Sequence, residues 1–425
     1  MVARLGNILA IVVAISASIT HAADRMDDTR TQPMNSNIRS LQVKVEGNDY
    51  APPIIELGSS QTINVSFDEM GSDRRYLRFS VIHCTADWLP SQLIESEWTD
   101  GFNYSNIDSY NFSAGTFSQY VHYSFSVPNE DINLKISGNY LIVIYDEDEP
   151  EQILAQARFM VSEQTADLSA TVSSRTDIDF NRTHQQLTIE VNTQGCNVQN
   201  PYTDLRVDVT QNERLDNSVT VTAPTRVVMG KAIYEHNQAL IFPAGNEFRR
   251  IETVATTYHT MRVVRMEYHH PYYHATLEQD VPRNESPYLY DETQFGRFTI
   301  RTAELDDSDT GADYIITHFS LDTGAPITKG RIYIDGEFTG HIFSPQWQMK
   351  WDASAGIYRC HAILKQGAYN YQYLFLPDGS NTARTADIEG DKYQTVNEYC
   401  IRVYHRRTGE RYDRLIGYTV IFSGK

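Results

Sequence analysis

Apolar residues recur at every second position along most of this chain, and that period constrains the fold more than any other feature. Leu41, Val43 and Val45 alternate with Gln42 and Lys44, and Leu205, Val207 and Val209 alternate with Arg206 and Asp208. A period of two is that of a half-buried strand, since successive side chains leave a strand on opposite faces. The same reading gives strands at 76–83, 120–127, 140–145, 185–191, 312–320, 332–334, 356–364, 369–376 and 414–422. Turn signals fall between them, among them Pro128-Asn129, Asp335-Gly336 and Pro377-Asp378-Gly379. Beyond the N-terminal segment no stretch carries a long, capped 3.6-residue period. The predicted fold class is all-β: three tandem immunoglobulin-like β-sandwich domains after a cleaved signal peptide.

Residues 1–23 read as that signal. Arg4 supplies the positive start, 5–19 the apolar stretch and Thr20-His21-Ala22 a small-residue cleavage site. The apolar stretch is short for a bilayer span and no stop-transfer pattern follows, so the mature form is expected to have no transmembrane segment of its own. Residues 24–37 are polar and read as a flexible lead-in. Composition breaks near 162–167 and 282–292 divide the remainder into 38–163, 164–285 and 286–425, three units of sandwich size. An outer-membrane barrel would also alternate, but four Trp residues are few for its interfacial girdles.

Lys plus Arg is 36 and Asp plus Glu is 55, a net charge of −19. Such an excess of anions argues against a nucleic-acid partner, whose phosphates need cations. With 27 Tyr residues and a polar composition, half-buried sheets are expected. The four cysteines, Cys84, Cys196, Cys360 and Cys400, read as mostly free thiols. Cys360 shares a strand phase with Ala362 and Leu364, Cys400 with Arg402, so one sulfur is expected to face inward and the other outward.

Chemistry-bearing motifs are sparse. There is no His-Glu-x-x-His, no Gly-x-Ser-x-Gly and no phosphate loop, so no catalytic residue, cofactor or small-molecule substrate is expected. His269-His270-Pro271-Tyr272-Tyr273-His274 is the densest histidine cluster. Adjacent strand residues point to opposite faces and Pro271 interrupts the geometry, so surface and packing histidines are expected, and no metal site. Asp306-Asp307-Ser308-Asp309-Thr310-Gly311 lacks the closing carboxylate of a calcium loop and reads as a solvated acidic turn. Asp146-Glu147-Asp148-Glu149 reads as an exposed acidic hairpin tip that discourages strand-edge pairing. Arg402, Arg406, Arg407, Arg411 and Arg414 form the one basic segment, and these five are the candidate partner-docking residues. Trp347, Trp351, Tyr369, Tyr371 and Tyr373 could form a sugar-stacking surface, which gives an alternative reading as a glycan-binding β-sandwich protein of the cell envelope. A sandwich-bearing hydrolase would need two carboxylates about 5–10 Å apart in a cleft.

Longer words are more specific. In the first unit they are Pro53-Ile54-Ile55-Glu56-Leu57-Gly58, His83-Cys84-Thr85-Ala86-Asp87-Trp88-Leu89-Pro90-Ser91 and Ser137-Gly138-Asn139-Tyr140. The second unit holds Gln211-Asn212-Glu213-Arg214 and Phe242-Pro243-Ala244-Gly245-Asn246-Glu247-Phe248-Arg249. The third holds Glu389-Gly390-Asp391-Lys392-Tyr393, then Glu410-Arg411-Tyr412-Asp413-Arg414-Leu415-Ile416-Gly417. In these words the chain resembles the type IX secretion system plug protein family of the Bacteroidetes, from about Ile38 to Gly417. The resemblance implies a non-enzymatic periplasmic protein, peripherally associated with the outer-membrane translocon. Its partner would be the giant outer-membrane secretion barrel, whose periplasmic mouth it binds and seals.

Overall fold

The computed structural model describes residues 29–424, so the signal segment expected at 1–23 lies outside the described residues. The regular structure is nearly all strand, as the alternation requires, and among the described residues the strands build three large hydrophobic cores and two smaller clusters.

The first core lies between two sheets. One runs Gln32–Pro33, Ile153–Ser162, Gly138–Asp146, Leu77–Cys84, Ser105–Asn106, with Ile54–Glu56 added parallel to Ile153–Ser162. The other runs Ile38–Val45, Ile63–Met70, Tyr120–Val127, Ser109–Phe112. Aromatic pairs fill the space between. Phe79 stacks on Phe125 at 4.0 Å, Tyr140 on Phe159 at 5.3 Å and Phe67 on Tyr123 at 5.4 Å. The lead-in does not hang free from Thr29 onward. Gln32 and Pro33 pair with Gln156 and Ala155, and Arg158 Nε donates to the Thr29 carbonyl at 2.8 Å. A polar stretch is tied down here because it supplies hydrogen bonds to an otherwise open sheet edge.

The second core corrects the division drawn from composition. Its first sheet runs Asp167–Ser173, His184–Asn192, Lys231–Tyr234, Arg226–Val228, with Ile241–Pro243 on His184–Asn192. Its facing sheet runs Val219–Val221, Leu205–Gln211, Glu398–His405, Arg414–Phe422. The last two strands come from the chain's end, with Val207 opposite Val403 and Val209 opposite Ile401. Conversely, Arg249–Glu252, Val263–His269 and Tyr272–Leu277 leave the expected second unit and join the third core. The boundary at 285/286 therefore separates no cores. Leu205–Gln211 has one edge that only a long-range strand pairs, and Glu398–His405 of the C-terminal hairpin is that strand.

The third core is built mostly between Arg249 and Ile388. One sheet runs Arg249–Glu252, Gly367–Pro377, Phe298–Ile300, with Gly330–Asp335 also on Gly367–Pro377. The other runs Val263–His269, Tyr272–Leu277, Tyr314–Leu321, Ile357–Lys365, Lys350–Asp352.

Tyrosine is used more deeply than expected. Tyr123, Tyr140, Tyr371, Tyr373 and Tyr399 are fully buried. Tyr371 and Tyr373 keep their hydroxyls satisfied by both donating to Asp280 Oδ2 at 2.8 Å.

Candidate functional site

The joints between the three cores gather much buried polar chemistry, and residues of two of them, among them Tyr314, Lys365, Ala86 and Cys400, line one cavity. The joint between the first and third cores centres on Asp68, on strand Ile63–Met70. Its Oδ2 accepts from Lys365 Nζ at 2.5 Å and from Tyr314 OH at 2.7 Å, and its Oδ1 lies 2.7 Å from His122 Nδ1. Lys365 and Tyr314 come from the third core, so a carboxylate of one unit is neutralised by a cation of another. Asp313 adds a second clasp by accepting from the backbone N–H groups of Phe117 at 2.8 Å and Ser118 at 3.0 Å.

The second joint is built from words that carry the family resemblance. Asn246 Nδ2 donates to the Glu389 carbonyl at 2.8 Å, Asp391 Oδ1 accepts from Gly245 N at 3.0 Å and Glu247 Oε1 accepts from Val396 N at 3.1 Å. Arg249 bridges Glu389 at 2.9 Å and Asp280 at 2.5 Å with its guanidinium almost wholly buried. Burial alone would raise the Glu389 pKa, but Arg249 and Arg283 outweigh it and hold the carboxyl down at about 2. Arg297 pairs with Glu398 at 2.7 Å and so ties the third core to the C-terminal hairpin.

That hairpin also forms the third joint, against the first unit. Cys400, Tyr404 and Leu415 pack with Ile54, Ala86 and Met160. Tyr404 OH donates to Asn139 Oδ1 at 2.8 Å, and Asp413 Oδ2 accepts from Ala86 N at 2.9 Å. Gly138 sits within this joint at φ 136°, where a Cβ would lie 2.7 Å from His83 Nε2 and 3.2 Å from the Asp413 carbonyl oxygen.

The five candidate docking arginines are distributed over this hairpin, not gathered into one patch. Arg414 is spent on Glu163 at 2.5 Å, and Arg411 pairs with Glu97, so both tie the hairpin to the first unit's end. Arg406 is exposed and lies 3.7 Å from Asp413, while Arg407 donates to the Asn197 carbonyl at 3.2 Å. Arg402 points the other way and lines the cavity, with its Nε buried and without a hydrogen-bond partner among the described residues.

The cavity has a volume of about 910 Å³. Leu41 and Trp88 of the first unit, Asp208 and Glu213 of the second, and Ile316 and Glu337 of the third contribute to its wall. Arg30 and Arg158 stand on the same wall. Burial, joined by the charges of Arg30 and Arg402, brings the Arg158 guanidinium down to about 9. Arg158 stacks on Trp88 at 4.2 Å.

Other features singled out in the sequence have structural places. The acidic hairpin tip is only partly solvated: Asp146 is buried and held by Arg75 at 2.6 Å, because the strand that bears it is covered on both faces. Asp307 caps the short helix Ser308–Gly311 by accepting from Asp309 N at 3.0 Å, and the turn packs on Tyr120, whose OH donates to the Asp309 carbonyl at 3.1 Å. The aromatic set offers no sugar platform. Trp347, Tyr369, Tyr371 and Tyr373 are buried in the third core and Trp351 packs against it. All four cysteines are free and buried. The expected outward sulfur, Cys400, does face away from its own core, but the first unit covers it. Among the described residues, no helix is long and apolar enough to cross a membrane.

These features define an all-β scaffold in which buried ion pairs link the third core to the first and to the second. A family description, the type 9 secretion system plug protein first domain, matches residues 38–163. The crystal structure of a hypothetical protein from Parabacteroides merdae ATCC 43184 is similar across almost the whole chain. It is 42% identical, covers 93% of this chain and 99% of its own, and superposes with a TM-score of 0.91. The chain belongs to the type 9 secretion system plug protein family. Comparison with curated proteins gives no match. A Pseudomonas fluorescens alkylpurine DNA glycosylase bound to DNA aligns at 13% identity over 30% of this chain and 31% of its own, and its TM-score of 0.18 carries no argument.

Proposed function

We propose that this protein is a non-enzymatic periplasmic plug, which binds the periplasmic mouth of the giant outer-membrane barrel of type IX secretion and closes it when no cargo is engaged. Family membership carries the reading. Scale supports it. A compact body of about 400 residues has a radius of gyration near 21 Å, hence a width of about 55 Å. A barrel of about 36 strands tilted near 40° is roughly 70 Å across its backbone, and side chains and inner loops narrow it. Buried charge pairs join the third core to the first and to the second. Of the five arginines, Arg406 and Arg407 at the hairpin tip are the ones this reading keeps for docking, because Arg402, Arg411 and Arg414 serve the cavity or the joints.

Affinity purification from the native envelope with crosslinking mass spectrometry tests the proposal. Recovery of a very large outer-membrane barrel, crosslinked to this chain, is the expected result. Recovery of the protein alone, under conditions that keep the outer-membrane complex intact, overturns it.

A further inference from the structure

Four histidines far apart in sequence line up across four neighbouring strands of the third unit. His269 lies on Val263–His269, His274 on Tyr272–Leu277, His318 on Tyr314–Leu321 and His361 on Ile357–Lys365. The register sets His318 directly opposite His361. Ring centroids of His269 and His274 are 5.1 Å apart, those of His274 and His318 are 5.2 Å apart and stacked at 18°, and those of His318 and His361 are 6.2 Å apart. The closest approach is between His274 Nδ1 and His318 Nε2, at 2.9 Å. Glu267 is opposite His274 in the register and its carboxylate lies 3.6 Å from His269 Nε2.

The row stands on the face turned away from the core. The neighbouring inward positions Ala275, Phe319 and Ala362 are buried, whereas His269 and His361 are exposed and His274 and His318 half-buried. Packing therefore does not account for the histidines. Cross-strand neighbours that can all become cationic are unfavourable for a sheet, and a neutral polar residue would serve better there.

We propose that this row binds a divalent transition ion of the borderline class, zinc foremost. His274 Nδ1 and His318 Nε2 are its first two ligands, and Glu267 and His361 close the shell. Zinc holds imidazole nitrogens at about 2.0–2.1 Å in near-tetrahedral array, which sets neighbouring nitrogens about 3 Å apart. The His274–His318 pair, at 2.9 Å, is within a few tenths of an ångström of that spacing, so small ring rotations admit an ion, and the proton between the rings leaves to solvent. Among the described residues no three potential ligands yet converge on one point. The remaining donors are exposed at Glu267 and His361, so they turn inward without breaking core contacts. Imidazole donors select zinc, nickel or copper and give little purchase to calcium or magnesium. A bound ion would bridge strands Tyr272–Leu277 and Tyr314–Leu321, a parallel pair, from the solvent side.

Isothermal titration of the chelator-stripped full chain with zinc chloride at neutral pH tests the site. We expect one saturable event, nickel chloride binding in its place, and no heat from calcium chloride. His274→Ala combined with His318→Ala should weaken zinc by at least the order of 10- to 100-fold that loss of a supporting partner alone produces. His361→Ala should weaken it less, and His259→Ala, on an exposed loop, should leave it unchanged. Matching thermal melts without metal show that the variants fold. No saturable zinc binding to the native chain, or unchanged affinity in the folded double variant, overturns the proposal. The outcome is independent of the plug reading, since neither barrel nor cargo takes part.

Discussion

Lys365 and Asp68 meet at 2.5 Å with each side chain only 1% exposed, and they belong to different cores. Neither charge has solvent to fall back on. Removing the lysine leaves a buried anion with only His122 and Tyr314 beside it. Lys365→Met should therefore cost about 3–5 kcal/mol in chemical denaturation. Asp68→Asn combined with Lys365→Met should recover part of that loss. Losses in the two single variants that simply add in the double variant would show that the pair is not a coupled unit.

Glu389 makes stability depend on acid. Its carboxyl sits at about 2 in the folded chain against 4.5 when unperturbed. A depressed acid binds fewer protons folded than unfolded, so its contribution is present above about 4.5 and is lost as pH falls towards 2. Urea denaturation across that window should show stability falling with acid, and Glu389→Gln should flatten the slope while lowering stability at neutral pH. An unchanged slope in the variant would remove Glu389 from the account.

His83 acts at higher pH by the same linkage. Burial pushes its pKa down to about 4, against the smaller opposing effects of the Ser137 carbonyl and Asp413. The unfolded chain takes up a proton near 6.5 that the folded chain refuses. Stability is then complete above about 6.5 and declines between 6.5 and 4. The His83 ring resonances in NMR should show no titration above pH 5. A midpoint near 6.5 would contradict this burial.

Gly138→Ala should destabilise the joint between the first unit and the C-terminal hairpin. A side chain at φ 136° is strained, and its Cβ would meet His83 at 2.7 Å. The expected loss is about 1–3 kcal/mol or more, read as a lower thermal midpoint. Gly379→Ala provides the comparison, since φ is also positive there at 76° but nothing lies within 4 Å. Equal losses at both positions would assign the effect to backbone strain alone.

If the hairpin tip docks on a partner, Arg406→Glu with Arg407→Glu should reduce recovery of the barrel by roughly tenfold or more, with a weaker effect at high salt. Thermal stability should change by less than about 1 kcal/mol, because neither arginine holds a close ion pair. Undiminished recovery would move docking to another face.

Strands with one solvated face were legible in the sequence. The strand Ile357–Lys365, whose Arg359 and His361 are exposed, lies within one residue of the bounds that alternation predicts. Ile153–Ser162 escaped although Gln156, Arg158 and Ser162 share a polar phase, because Ala155 and Ala157 give the opposite phase little apolar contrast and that polar phase is itself buried under neighbouring chain. The boundary at 285/286 missed the cores for a different reason. Pairing of Val207 with Val403 joins segments nearly two hundred residues apart, and no local composition shift marks it. The family words were read correctly as words, but their work is in buried joints: Asn246 bonds Glu389, and Arg249 lies between Glu389 and Asp280. The histidine row was half visible. His269 and His274 stand together in sequence, but His318 joins His274 from 44 residues further on, and only the register brings His361 beside it.

The C-terminal hairpin supplies half of one sheet and also leans on the first unit. A ribosome that has not yet reached Glu398 therefore carries a chain in whose middle portion Leu205–Gln211 lacks one of its two strand neighbours. Synthesis must finish before that portion can settle. The second core is thus the last of the three to have all its strands made, after both of its neighbours.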